Sequence, residues 1–202
     1  MKRMLVLGCA LALLFFTSTN SHAILIGLDP VSQNAAAGSS VDVNLFISGL
    51  GDHTAPSLGA YDLNVNFDPA ILAFNSVAFG DPLLGNQLDL FGFGNLSGSD
   101  NTISGKVNLY ELSFDLAQEL ETLQPGSFVL ARLTFDTLTV GTSPLDLSLN
   151  ALGDASGDPL SAELHNGSIN VNSTTPVPEP ATILLLASGL GCGWVFGKKK
   201  EL

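Results

Sequence analysis

Ser57 to Leu72 reads SLGAYDLNVNFDPAIL. Tyr61, Leu63, Val65 and Phe67 fall on one side of an extended chain, and Asp62, Asn64 and Asn66 fall on the other. Asp68-Pro69 then halts the strand, because proline has no N–H to give a ladder and aspartate bonds readily to the backbone just after it. A second apolar run, Ile71 to Phe79, follows. Two strands, each dry on one face and wet on the other, joined by a tight turn, describe a layer of antiparallel sheet.

The same alternation extends in both directions. Val41, Val43, Leu45 and Ile47 share a face, with Asp42, Asn44, Phe46 and Ser48 opposite. Val129, Ala131, Leu133 and Phe135 alternate with Leu130, Arg132, Thr134 and Asp136, and Leu145, Leu147 and Leu149 with Asp146, Ser148 and Asn150. Asn166-Gly167, between Ala162–Leu164 and Ile169–Val171, has the signature of a two-residue hairpin turn. One helix is expected over Asp115 to Leu123, with Leu116, Leu120 and Leu123 on one side and Pro125-Gly126 as its stop. Asp81 to Thr102, carrying Phe91 and Phe93, reads as a long loop. The expected fold is all-β: an antiparallel β-sandwich or jelly roll of about nine strands with one short helix.

The chain has 202 residues, a net charge of -12 and 46% hydrophobic residues. Mean hydropathy is +0.36, unusual beside that charge, and position explains it. Residues 1–23 begin with Lys2 and Arg3, continue as an apolar run from Met4 to Phe16, and end Ser21-His22-Ala23. This is the layout of a secretory signal peptide, with cleavage by signal peptidase expected after Ala23. Residues 173–180 are a Pro-rich spacer, 181–197 an uncharged apolar stretch, and 198–202 a basic tail containing Lys198, Lys199 and Lys200. At about 1.5 Å per residue the apolar stretch covers about 25 Å, enough for a short transmembrane helix whose lysines remain cytoplasmic. Between the ends, residues 24–177 hold only Lys106 and Arg132 against seventeen acids, a net of -15. Such a surface excludes nucleic acid, which draws affinity from Lys and Arg.

Pro178-Glu179-Pro180 stands immediately before the apolar stretch. Two prolines around a carboxylate hold the backbone extended, as a protease cleft requires. With the apolar stretch and the basic stop that follow, this tail resembles the PEP-CTERM sorting signal. The resemblance implies recognition by an exosortase-type enzyme in a Gram-negative bacterium that makes exopolysaccharide. It implies anchoring in the inner membrane before processing, then residence on the cell surface or in the extracellular matrix.

The stretch Ser57–Leu72, with its Phe67-Asp68-Pro69 turn and Leu72, followed by Phe74–Val77, Gly80-Asp81 and the later strand Phe128–Phe135, resembles the cohesin-like sandwich over residues 24–172. Cohesins bind dockerins, and their structural relatives include carbohydrate-binding modules. Fold and sorting tail together imply a non-catalytic binding module for carbohydrate or exopolysaccharide; the alternatives are a protein–protein adhesion module and a passive component of the surface matrix.

Chemistry is sparse in the middle of the chain. Residues 24–177 contain no cysteine, no Gly-x-Ser-x-Gly elbow, and only His53 and His165, so no enzymatic site or cofactor is expected. Asp154 and Asp158, in a Gly-rich stretch, are candidates for a structural Ca²⁺, and the same spacing also makes an ordinary turn. Sugar stacking would use aromatic rings, and Trp194 lies in the tail. Tyr61 starts a core face and Tyr110 is the tyrosine left to be exposed, so sugar recognition would rest on polar Asp/Asn loops together with Phe91 and Phe93.

Overall fold

The computed structural model describes residues 23–173. Eleven strands and one helix follow in order: β1 Ile24–Asp29, β2 Ser32–Ala36, β3 Ser40–Ser48, β4 Leu58–Asn66, β5 Leu72–Phe79, β6 Asn95–Asp100, β7 Lys106–Ser113, α1 Ala117–Leu123, β8 Ser127–Thr137, β9 Gly141–Asp154, β10 Ala162–His165 and β11 Gly167–Asn172. They form a five-stranded sheet, β10-β1-β3-β8-β5, and a six-stranded sheet, β2-β11-β9-β4-β7-β6. The alternating residues of both sheets meet in one core. At its base Phe67 and Phe74 pack edge-on against Phe135, with centroids 5.2 and 6.0 Å apart. The Asp68 turn forms as expected. Its carboxylate accepts the Ala70 N–H at 2.9 Å, its carbonyl accepts Leu72 N–H at 2.9 Å, and Leu72 is fully buried.

Three expectations need correction. First, the sandwich is not wholly antiparallel: β10 runs parallel to β1, and β11 parallel to β2. Second, Asn166-Gly167 does not turn a hairpin, because β10 and β11 belong to different sheets. The Asn166 side chain accepts the Leu147 N–H (2.9 Å) and donates to Asp146 (3.0 Å), so it ties the crossing to β9. Gly167 lies so close to the Val31 carbonyl that a Cβ would sit 2.7 Å from it, and Ser168 N–H donates to that oxygen at 2.9 Å. The β1–β2 and β10–β11 segments therefore change sheets side by side. Third, the Asp81–Thr102 stretch is not all loop. It contains β6, an edge strand whose Asn/Ser/Gly-rich sequence carries little apolar alternation because no strand covers its outer edge.

Helix α1 begins two residues later than expected and buries only Leu120. With seven residues it has a single inward position, so Leu116 and Leu123 face solvent. The Leu116 N–H is satisfied by Glu119 at 3.2 Å. Among the described residues no helix is long and apolar enough to cross a membrane. The signal-peptide residues before Ala23, Pro178-Glu179-Pro180, the 181–197 stretch and Lys198–Lys200 lie outside the described residues.

Candidate functional site: an apolar patch on a tethered loop

The connection from β5 to β6, residues 80–94, is held by side chains rather than by a ladder. Asp81 accepts the Leu83 and Leu84 N–H groups with one oxygen (2.8 and 3.0 Å) and the Val129 N–H with the other (3.0 Å). Burial works against the charge of Asp81, but these three bonds outweigh it and hold its carboxyl below the usual range. Farther along, Leu88 is buried beneath the loop. The buried amide of Gln124 accepts the Leu58 N–H at 2.6 Å and donates to the carbonyls of Leu58 (3.1 Å) and Gln87 (2.9 Å). Asp115 accepts the Leu90 N–H at 2.7 Å.

Glu111 is a second buried anchor. It lies on β7 in the inward phase of Val107 and Leu109, where hydrocarbon would be expected. Tyr61 donates its hydroxyl to one carboxylate oxygen at 3.1 Å; Asn86 donates to the other at 2.6 Å, and Asn95 donates to that same oxygen. Both ends of the 86–95 segment are thus fastened to one buried carboxylate. Burial pushes the Glu111 carboxyl up, the bonds from Asn86 and Tyr61 pull it back, and the nearby Asp89 charge pushes it up again; the net direction is up. Burial, followed by the Glu111 charge, raises the Tyr61 phenol well above its ordinary value, so it stays a donor.

The tethered loop displays apolar side chains. Leu83 is 92% exposed and Phe93 is 79% exposed. The Phe91 and Phe93 rings stack, with centroids 5.9 Å apart and planes 27° from parallel. The surface continues onto the neighbouring strands: Leu96 of β6 and Leu112 of β7 are directly opposed and exposed. Phe114 and Leu116 follow, also exposed, flanking the Asp115 that holds Leu90. An apolar surface on a fixed support is what a protein–protein contact needs.

The other candidates from the sequence are distributed around the molecule. Asp154 and Asp158 do come together, around a turn: one Asp154 oxygen accepts the Ser156 and Asp158 N–H groups, each at 2.9 Å. Among the described residues no three His, Cys, Asp or Glu side chains gather as a metal site. His53 lies 3.7 Å from Asp52 and His165 3.2 Å from Glu163, each beside an acid of its own segment. Tyr61 is buried, as its place on the core face implied, and Tyr110 is exposed. Sequence reasoning did not single out Leu96, Leu112, Phe114 and Leu116 as a surface. The available signal was Leu112, which shares its phase with Asn108 and Tyr110 on the wet side of β7.

A two-sheet sandwich that uses its buried polar groups to hold a loop, and presents apolar side chains on that loop, is a binding module. The chain belongs to the cohesin family: the cohesin domain matches residues 26–171. Among solved structures, it is similar to the sixth cohesin of Acetivibrio cellulolyticus scaffoldin B, solved in complex with a Cel5 dockerin mutant. That structure has 21% identity and a TM-score of 0.58, covering 74% of this chain and 99% of that one. The seventh ScaB type I cohesin of Pseudobacteroides cellulosolvens gives 17% identity and a TM-score of 0.60, covering 78% and 97%. A non-cellulosomal cohesin from the archaeon Archaeoglobus fulgidus gives 16% and 0.55, covering 80% and 97%. No curated protein matches the sequence.

Proposed function

We propose that the chain is a non-catalytic adhesion module that docks a partner protein of the dockerin kind through the patch formed by Phe91, Phe93, Leu96, Leu112, Phe114 and Leu116. The carrying observation is the combination of exposed apolar side chains with a loop fastened at Glu111 and Gln124. Such a loop loses little conformational freedom on binding. Family membership supports the same reading, since the Acetivibrio relative was solved with a dockerin. A photo-crosslinking residue placed at Phe93 of the full-length chain, expressed in its host, should capture one defined protein. The same residue placed at Asn64 should not capture it. Capture at both positions, or at neither, overturns the patch and leaves the passive matrix role.

The proposed itinerary rests on the residues at the two ends. Signal peptidase cleaves after Ala23, and residues 181–197 hold the precursor in the inner membrane with Lys198–Lys200 inside. An exosortase-type enzyme then acts at Pro178-Glu179-Pro180 and delivers the domain to the cell surface or extracellular matrix of a Gram-negative bacterium. Intact-mass spectrometry of the surface protein reads both termini: Ile24 as first residue supports the entry step, and Leu202 still attached overturns the exit step.

A further inference from the structure

We propose that the end of the sandwich at which β11 finishes is a lipid-facing surface, seated on the bilayer interface while the precursor is anchored. Four connections meet at this end: residues 37–39 between β2 and β3, 69–71 before β5, 101–105 between β6 and β7, and 138–140 between β8 and β9. They are fastened to one another side by side. Gly38 N–H donates to the Thr137 carbonyl at 2.9 Å, Leu138 N–H to the Ile71 carbonyl at 2.8 Å, and Phe67 N–H to the Gly105 carbonyl at 2.8 Å. At the same end the Ala37 N–H donates at 2.9 Å to the carbonyl of Asn172, the last residue of β11.

This end lacks the acids found at the other. No Asp, Glu, Lys or Arg occurs in residues 37–39, 69–71, 101–105 or 138–140. The nearest charges are Lys106 and three acids one or two residues behind the tips, each of which accepts a hydrogen bond: Asp68 from the Ala70 N–H, Asp100 from the Thr102 N–H, and Asp136 from the Ser40 hydroxyl. The segments at the opposite end, residues 49–57, 114–126 and 155–161, carry Asp52, Asp115, Glu119, Glu121 and Asp158. Apolar side chains stand where turns usually have Asn, Asp, Ser or Gly: Ile103 is 57% exposed, Leu138 49% and Val140 62%. The Thr139 hydroxyl donates to the Ala70 carbonyl at 2.6 Å, so Leu138 and Val140 are presented on a turn that is tied down.

The length of the tether decides what this surface meets. Residues 173–180 follow β11 directly and extend at most about 28 Å before the apolar stretch begins. A domain of charge -15 is repelled by an anionic lipid surface, and at physiological salt that repulsion fades within about 8 Å, so it is weakest at the end without acids. That end therefore approaches the headgroups with Ile103, Leu138 and Val140 leading, and exposed apolar side chains settle at the boundary between headgroups and acyl chains. Seated so, the sandwich holds Phe93, Phe114 and Leu116 away from the bilayer, because they adjoin the Asn95–Ser113 end of the β6–β7 pair, whereas residues 101–105 join its other end.

The inference rests on the proposed anchoring by residues 181–197, and one experiment reads the two separately. Full-length chain in a C9S/C192S background, labelled with an environment-sensitive fluorophore at V140C or, at the far end, at S156C, is reconstituted into vesicles of phosphatidylethanolamine and phosphatidylglycerol. Flotation with the vesicles reads the anchor, and quenching by a lipid brominated near the headgroup end of its acyl chain reads the seating. The label at 140 should shift to the blue and lose most of its emission to the brominated lipid, and the label at 156 should do neither. I103S/L138S should restore much of the emission at 140. A floating chain whose label at 140 is quenched no more than the label at 156, or is quenched as strongly in I103S/L138S, overturns the seating and leaves the anchor standing. A chain that does not float overturns both.

Discussion

Glu111 sits where the alternation of β7 calls for a hydrocarbon, and three neutral donors surround it. Its carboxyl is raised in the folded state above its value of about 4.3 in an unfolded chain. For such a group, ionisation costs more folded than unfolded. Its contribution to stability is therefore greatest below the unfolded value and declines as pH rises through the raised folded value. The stability of wild type relative to E111Q should fall as pH rises above the unfolded value of about 4.3, read from urea midpoints at several pH values. Parallel curves for the two proteins would refute the assignment. E111A strands Tyr61, Asn86 and Asn95 and should cost about 2–4 kcal/mol. The inward position of residue 111 was legible from Val107 and Leu109. Its donors were not, because Asn86 and Asn95 reach it from a loop whose path no periodicity encodes.

At the scale of elements, the β5–β6 connection owes its order to Gln124, just past the end of α1, as much as to its own residues. Q124A removes the acceptor for the Leu58 N–H and the donor for the Leu58 and Gln87 carbonyls, leaving buried backbone groups unpaired. Hydrogen exchange should accelerate most at Leu58 and across 86–95, while β3 and β8 accelerate only by the global loss of about 2–3 kcal/mol. Unchanged protection across 86–95 would mean that Leu88, Glu111 and Asp115 hold the loop without Gln124. The strands that alternate cleanly, β3 and β4, could be read directly, as could the Asp68-Pro69 turn; β8 keeps the expected phase only from Ala131 on, because a bulge at Leu130 buries Leu130 and turns Val129 outward. The β10–β11 crossing could not. Asn-Gly is equally compatible with a hairpin, and the choice is made by the hydrogen bonds from Asn166 to β9 and by the close approach of Gly167 to Val31. The apolar patch was hidden for a related reason: its members come from a loop, two strands and a helix start, and only folding sets them side by side.

For the whole molecule, two compositional facts set the conditions of stability. Residues 24–177 lack cysteine, so a reducing agent should leave the unfolding midpoint of the domain unchanged. Their charge of -15 makes the folded state self-repelling, and raising monovalent salt from about 0.01 to 0.15 M shortens the screening length from about 30 to 8 Å. Stability should increase by about 1 kcal/mol, a Tm rise of about 2–4 °C for a domain of this size, measured by thermal unfolding. A midpoint that does not move would place the charges too far apart to interact.

The parallel pairings at the two ends of the domain also bear on when it can close. In its sheet β2 has β11 as its sole neighbour, and β10 is joined only to β1. The second strand to emerge therefore waits for the last, and the long loop between them must close before that contact contributes. A chain threaded through a membrane N-terminus first keeps β2 unpaired until Gly167–Asn172 appears. That strand comes just ahead of residues 173–202, so folding is completed only as the tail arrives, and on the proposed export route the chain would cross while still open.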